Sequence, residues 1–204
     1  MLPSMSMPQE YLRSPELMSV GDTALVVVDV QERLIPAIAG GSRVVWNVRR
    51  LVDVAKLLDM PVLATEQYPA GLGRSVPELA ARLGEVPSKL SFSCLGCPAF
   101  LDALQQLGSA KLLVCGVEAH VCVQQTVLDL IAGAWRTYVA VDAVGSRQAA
   151  DYETALRRME MAGATLTTTE AALFEWCQAA GTPQFKQISA VVKEKPPTTD
   201  TSEG

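Results

Sequence analysis

Short apolar runs alternate with longer segments of helical period along most of this chain. That is the sequence form of β-α-β units wound about a parallel sheet, an α/β class of fold. Strands are expected at Ala24–Val28, Pro61–Thr65, Lys111–Gly116, Tyr138–Asp142 and Ala164–Thr168. Helices are expected between them, at Ser42–Leu58, Pro98–Leu107, Val121–Ile131, Gln148–Ala162 and Thr169–Ala179. Gly108, Gly133, Gly163 and Gly181 each follow a helical segment, where C-terminal caps commonly fall.

One stretch interrupts the alternation. Gln67–Phe92 carries Gly71, Gly73, Pro77, Gly84 and Pro87, and long irregular excursions in compact domains are often binding loops. The ends also depart from the pattern. Residues 1–20 are an irregular N-terminal segment, 21–194 form one domain, and 195–204 are polar, rich in Pro and Thr, and expected to be disordered. Pro183–Lys193 can form an amphipathic helix with Phe185, Ile188, Val191 and Val192 on one side.

Composition excludes several classes. At 204 residues with 49 % hydrophobic content, the chain can bury one sizeable core. A net charge of −5 gives no basic footprint for nucleic acid. No apolar run reaches the ~18–20 residues of a membrane span, and the N-terminus lacks the basic start and apolar core of a signal peptide. A cytoplasmic protein is expected. The five cysteines are an odd number, and Cys115 and Cys177 lie inside apolar patterns, so a disulfide framework is not expected.

The stretch Gly116-Val117-Glu118-Ala119-His120-Val121-Cys122 follows an apolar strand and opens a helical segment. A cysteine at a strand-to-helix turn meets backbone N–H groups and the positive end of a helix dipole, which favour thiolate. Cys122 is therefore a candidate nucleophile. In a doubly wound sheet, ligands bind beyond the carboxyl ends of the strands. Asp29 ends the first strand, and Lys89 lies beyond the long excursion where it can reach the same edge. Asp29 can take the thiol proton and later activate water. Lys89 can hold that carboxylate and favour thiolate by its charge. The backbone N–H groups of Glu118 and Cys122 can receive an oxyanion, worth ~3–4 kcal/mol per donor in comparable sites. This is the equipment of acyl-type hydrolysis through a thioester.

Each residue has a plainer reading. Cys122 can be a buried helix-start cysteine, Asp29 a strand-ending turn residue, and Lys89 a surface lysine. The sole histidine, His120, sits two residues before the thiol and is read as pocket wall, with Gln31, Gln67 and Tyr68 as further lining. Cys94-Leu95-Gly96-Cys97 has the spacing of a redox pair or half a zinc site, against a simple helix-entry turn before Pro98. Trp46, Trp135 and Trp176 read as packing residues.

Taken together, Val27-Val28-Asp29-Val30-Gln31, Ser88-Lys89-Leu90-Ser91-Phe92 and Gly116–Cys122 resemble the isochorismatase-like cysteine hydrolase superfamily. Thr65-Glu66-Gln67-Tyr68-Pro69, Gly71-Leu72-Gly73, Val76-Pro77-Glu78-Leu79 and Pro183-Gln184-Phe185-Lys186 are most similar to its isochorismatase domain-containing branch. The resemblance implies a three-layer αβα sandwich, Rossmann-like, with a mostly parallel central sheet. It also implies an Asp29–Lys89–Cys122 triad and a cis peptide between Val117 and Glu118. Nicotinamidases of this superfamily bind metal through an Asp-x-His pair and a further histidine, where this chain has Glu66-Gln67-Tyr68 and one histidine in all. No metal and no cofactor is expected. Isochorismatases proper typically carry glycine at the nucleophile position, so the superfamily name is not the reaction.

The resulting expectation is a metal-independent cysteine hydrolase acting on a small amide, imide or related carbonyl compound. The alternatives are a thiol-based redox or stress protein using Cys122, and a non-catalytic oligomeric scaffold. The expected partners are a small-molecule substrate and further copies of the chain, with Pro183–Val192 as a candidate interface. Neither nucleic acid nor membrane is expected.

Overall fold

The computed structural model describes residues 12–108 and 110–197. Six strands form one sheet: β1 (Thr23–Val28), β2 (Val62–Gln67), β3 (Ser88–Lys89), β4 (Lys111–Val117), β5 (Arg136–Gly145) and β6 (Thr165–Thr167). Their order is β3-β2-β1-β4-β5-β6, and every pairing between them is parallel. The chain winds from β1 out to β3 and then from β4 out to β6. The direction therefore reverses between β1 and β4, the position where open α/β sheets bind ligands.

The central strands are apolar on both faces because helices cover both. Leu25 and Val27 of β1, with Leu113, Cys115 and Val117 of β4, enter one core cluster. That cluster is completed by α1 (Gly41–Leu57), α7 (Thr169–Cys177) and α8 (Phe185–Val192). Ala24, Val26 and Val28, with Leu112 and Val114, enter the other. Its helices are α4 (Pro98–Gln106), α5 (Gln124–Ala132) and α6 (Ala149–Met161). The period of two is the pleat. Each buried Val or Leu contributes about 1.5–3 kcal/mol of transfer free energy, so the switch point is held by the most buried part of the molecule.

Gly116 shows how closely these two strands approach. It adopts φ +120°, and a Cβ there would lie 2.0 Å from the Val28 carbonyl oxygen. Only glycine lets the end of β4 pass this close to the end of β1.

Several expectations change. The excursion is not structureless: it contains α2 (Pro69–Leu72), α3 (Pro77–Leu83) and the two-residue edge strand β3. Pro77 at the first helical turn followed by Glu78 was a readable start signal for α3. β5 runs to Gly145, beyond the expected Asp142. The sheet is wholly rather than mostly parallel in its strand pairings. Of the four cap glycines only Gly163 takes a positive φ, while Ala134 and Gln178 take positive φ after α5 and α7.

The apolar side of α8 is used internally. Ile188 is buried, Phe185, Val191 and Val192 pack on the core with it, and Arg50 donates to the Val191 and Val192 carbonyls at 3.2 and 3.3 Å. This corrects its reading as an interface. Part of the N-terminal segment is also anchored, since Met18 is fully buried in the core. The rest of that segment, 1–11, and most of the expected tail, 198–204, lie outside the described residues. No helix among the described residues is long and apolar enough to cross a membrane.

At its N-terminal end β1 is fastened by Asp22. The carboxylate accepts from the Ser19 amide, the Thr23 hydroxyl and Lys111 Nζ at 2.8, 2.8 and 2.7 Å, and Lys111 also donates to the Leu17 carbonyl at 2.7 Å.

Candidate active site

Asp29 is the first residue beyond β1. It turns the chain with φ +51°, a conformation Asp tolerates better than most residues. Its amide donates to the Thr65 carbonyl at 3.1 Å, so the parallel pairing with β2 continues into the turn. The side chain is completely buried, and its two oxygens have different partners. Oδ1 accepts from Thr65 Oγ1 at 2.8 Å and Oδ2 from Lys89 Nζ at 2.7 Å.

Lys89 is equally buried. Besides Asp29, its ammonium donates to Gln67 Oε1 at 2.8 Å and to the Phe92 carbonyl at 3.0 Å, with the Ser91 carbonyl at 3.3 Å. Three protons are thus spent on protein acceptors, which orients the lysine and leaves it no hydrogen for a substrate. It is a positioning group for Asp29 and for the segment 90–92.

Cys122 lies on the other side of the carboxylate. It belongs to a single π-type turn, Ala119–Val123, that leads into α5, and it is 5 % exposed. Such turns recur at functional sites. The thiol and the Asp29 carboxyl are close enough that each changes the other's proton affinity. Burial raises the Asp29 carboxyl above its ordinary value, and this outweighs the opposing pull of Lys89, Cys122 and Thr65. Burial also pushes the Cys122 thiol strongly upward, Asp29's negative charge adds to it, and Lys89 only partly offsets both. This corrects the expectation that the helix start and Lys89 favour thiolate. The sulfur is therefore held as a thiol, with its proton transfer left to the moment of attack.

The Val117–Glu118 peptide is cis. The Glu118 amide donates to no acceptor among the described residues. The loop after β5 grips this turn from outside: Arg147 donates to Glu118 Oε2 from Nε at 2.9 Å and from its amide at 3.3 Å. His120 Nδ1 is 3.0 Å from Ser146 Oγ, and its Nε2 is 3.8 Å from Asp151. The imidazole is engaged with this loop.

Gln31 and Gln67 act inside the protein. Gln31 Oε1 accepts from the Gln67 amide at 2.7 Å, while its Nε2 donates to the Gln67 and Gly73 carbonyls at 3.0 and 2.7 Å. Gln67 bridges Lys89 and the Leu90 carbonyl, donating to the latter at 2.8 Å. Both amides are spent, which corrects their reading as lining. Tyr68 is different. It is 53 % exposed and, with the exposed Leu90 and Phe92, stands on the two segments that Lys89 and Gln67 join.

Where nicotinamidases carry metal ligands, Glu66 accepts from the Ser75 amide and hydroxyl and from Arg74. No group of three or more His, Cys, Asp or Glu side chains is placed to hold a metal ion among the described residues.

Thr65 was not read from the sequence as a site residue, and Cys94 was read only as part of a Cys-x-x-Cys motif. The register Val28↔Thr65 sets Thr65 next to the residue that follows Val28, a signal available once β1 and β2 are paired. Of the tryptophans, Trp176 is buried, and Trp46 stacks under Arg50 at 4.2 Å.

Comparison with known proteins adds an independent line. The isochorismatase domain model matches residues 23–171. Isochorismatase domain-containing protein 2A of Mus musculus is 42 % identical over 176 residues, covering 85 % of this chain and 84 % of the relative. The Homo sapiens protein 2 is 40 % identical over 180 residues, covering 87 % and 86 %. Among solved structures, a MAR1 ribonuclease from Caenorhabditis elegans superposes with a TM-score of 0.83 at 36 % identity, over 90 % of this chain and 96 % of that one. The YcaC gene product of Escherichia coli, described as an octameric hydrolase of unknown specificity, superposes at 0.78 with 25 % identity, over 89 % of each chain. A family model spanning most of the sheet and relatives matched nearly end to end establish that this chain belongs to the isochorismatase-like hydrolase family.

Proposed function

We propose that the protein is a metal-independent cysteine hydrolase of small amides, imides or related carbonyl compounds. The observation that carries this reading is one buried carboxylate, Asp29, held by Lys89 on one side and facing the Cys122 thiol on the other. In the first half-reaction the thiol proton passes to Asp29 as Sγ bonds to the carbonyl carbon. The oxyanion is received by the Glu118 and Cys122 amides. Collapse breaks the C–N bond, the leaving nitrogen takes the proton from Asp29, and a thioester remains. In the second, Asp29 takes a proton from water as it attacks the thioester, and the proton returns to the sulfur as the acid leaves. Burial suits Asp29 to this cycle, because a carboxylate with raised proton affinity is the stronger base.

Tyr68, Leu90, Phe92 and His120 are the proposed walls of the substrate site. The chain is proposed to work as a homo-oligomer, as the octameric relative does. One relative is described as a ribonuclease, but a net charge of −5 opposes binding of a polyanion. The test is a screen of amides, imides, esters and a short RNA against wild type and Cys122→Ala, read by turnover and by the mass of trapped acyl-enzyme. Turnover of a carbonyl substrate with an adduct on Cys122, lost in Cys122→Ala, is expected. Full turnover by Cys122→Ala, or cleavage of RNA alone, overturns the reading.

A further inference from the structure

Cys94 is a second thiol at this site, and the proposed hydrolysis does not use it. Its neighbour in the Cys-x-x-Cys motif, Cys97, directs its sulfur to the Ser88 carbonyl at 3.6 Å. Cys94 turns the other way, with Sγ 3.2 Å from Thr65 Oγ1. The Thr65 hydroxyl proton is already committed to Asp29, so the Cys94 S–H is the donor in that contact. The Cys94 amide donates to Thr126 Oγ1 at 3.0 Å. Thr126 lies in the first turn of α5, four residues beyond Cys122. Both cysteines belong to the same core cluster, and burial first and the Asp29 charge second raise the proton affinity of each, Cys94 reaching about 11. Thr65 thus joins Cys94 to Asp29, and the charges of Asp29 and Cys94 both act on the Cys122 thiol.

We propose that Cys94 is the resolving thiol for oxidised Cys122, so that mild peroxide converts the pair to an intramolecular Cys94–Cys122 disulfide. The order follows from access: Cys122 has a small opening to solvent, whereas Cys94 has none. In the first step Asp29 takes the Cys122 proton, sulfur attacks the peroxide oxygen, the O–O bond breaks, the leaving hydroxide takes the proton back from Asp29, and sulfenic acid and water form. In the second, Cys94 sulfur attacks the Cys122 sulfur, the S–OH bond breaks, the Cys94 proton leaves with the hydroxyl as water, and the disulfide remains. Peroxide supplies both oxidising equivalents, and a dithiol reductant reverses the change. Such a pair intercepts the nucleophile before it reaches the irreversible sulfinic acid. It also gives the cysteine motif a meaning its spacing does not suggest, since the partner of Cys94 is Cys122 rather than Cys97.

The test needs no substrate. Purified full-length protein is treated with graded hydrogen peroxide, and its peptides are sequenced by mass spectrometry before and after dithiothreitol. Wild type is expected to lose the Cys94 and Cys122 thiols together as one cross-linked species that dithiothreitol restores. Cys94→Ala is expected to accumulate Cys122 sulfinic acid an order of magnitude faster. Cys97→Ala should behave as wild type. Three results overturn the proposal: Cys122 sulfinic acid forming equally fast in wild type and Cys94→Ala, a disulfide from Cys122 to another cysteine, or no oxidation of Cys122. If Cys94→Ala fails to fold, the wild-type and Cys97→Ala peptide maps still decide the pairing.

Discussion

The two ends of β1 carry the same ion pair in opposite environments. Asp22 meets Lys111 at 2.7 Å where the strand begins, and Asp29 meets Lys89 at 2.7 Å where it ends. The Asp22 side chain is 34 % exposed; burial raises its proton affinity, but bonds from Lys111, Thr23 and Ser19 outweigh this and bring its pKa down to about 2. Asp29 has no exposure, and there burial wins over Lys89 and Thr65, so its pKa rises. Equal length therefore does not mean equal role. The first pair fastens the start of β1 to β4, while the second holds a buried carboxyl beside a thiol.

The largest expected difference is in mutation of the carboxylates. Asp29→Asn leaves the Lys89 charge buried without its counter-ion, which should cost about 3–5 kcal/mol in urea denaturation. Turnover of a substrate found in the screen should fall by ~10²–10⁴-fold. Asp29→Asn with Lys89→Met removes both charges and should regain most of the stability but none of the activity. If Asp29→Asn proves no more destabilising than Asp22→Asn, the two ends are equivalent and the contrast fails.

A smaller effect concerns the thiol. With burial and Asp29 both raising its proton affinity, alkylation of Cys122 by iodoacetamide should keep accelerating above the pH at which a free cysteine levels off. In Asp29→Asn the negative neighbour is gone, so the profile should move to lower pH. Movement to higher pH would mean that Asp29 acts on the thiol mainly through something other than its charge.

Asp22→Asn should show the least. The pair is partly solvated, and its loss at neutral pH should cost ~0.2–1 kcal/mol. The sign with pH is definite. A carboxyl whose folded pKa lies below its ordinary 3.8 contributes stability above that value and loses it as pH falls toward about 2. The difference between wild type and Asp22→Asn in thermal unfolding should shrink across that window. Asp29 has the reverse sign: its raised pKa contributes stability below the ordinary value and loses it as pH rises through the folded one.

The strands that make the switch point were legible because they are long and apolar throughout, as double coverage requires. β3 escaped because it is two polar-ended residues at the sheet edge, with no periodicity to read. Asp29, Lys89 and Cys122 were legible as a set only through motif resemblance; by residue type alone Lys89 looked like a surface lysine, although it is fully buried. The direction of the thiol's shift was misread because a helix start and a lysine are visible in sequence, whereas burial is not. Gln31 and Gln67 were misplaced for the same reason, since their backbone partners at Gly73 and Leu90 become neighbours only in the fold.

The saturated ammonium of Lys89 makes it a reporter of local opening. An amine with no exposure and every hydrogen engaged is silent toward acylating reagents while the segment 90–92 stays closed over it. Its labelling rate under native conditions therefore measures how often that segment lifts, in the way amide exchange measures local unfolding. A ligand that binds against Leu90 and Phe92 should slow this labelling before any reaction product has been identified.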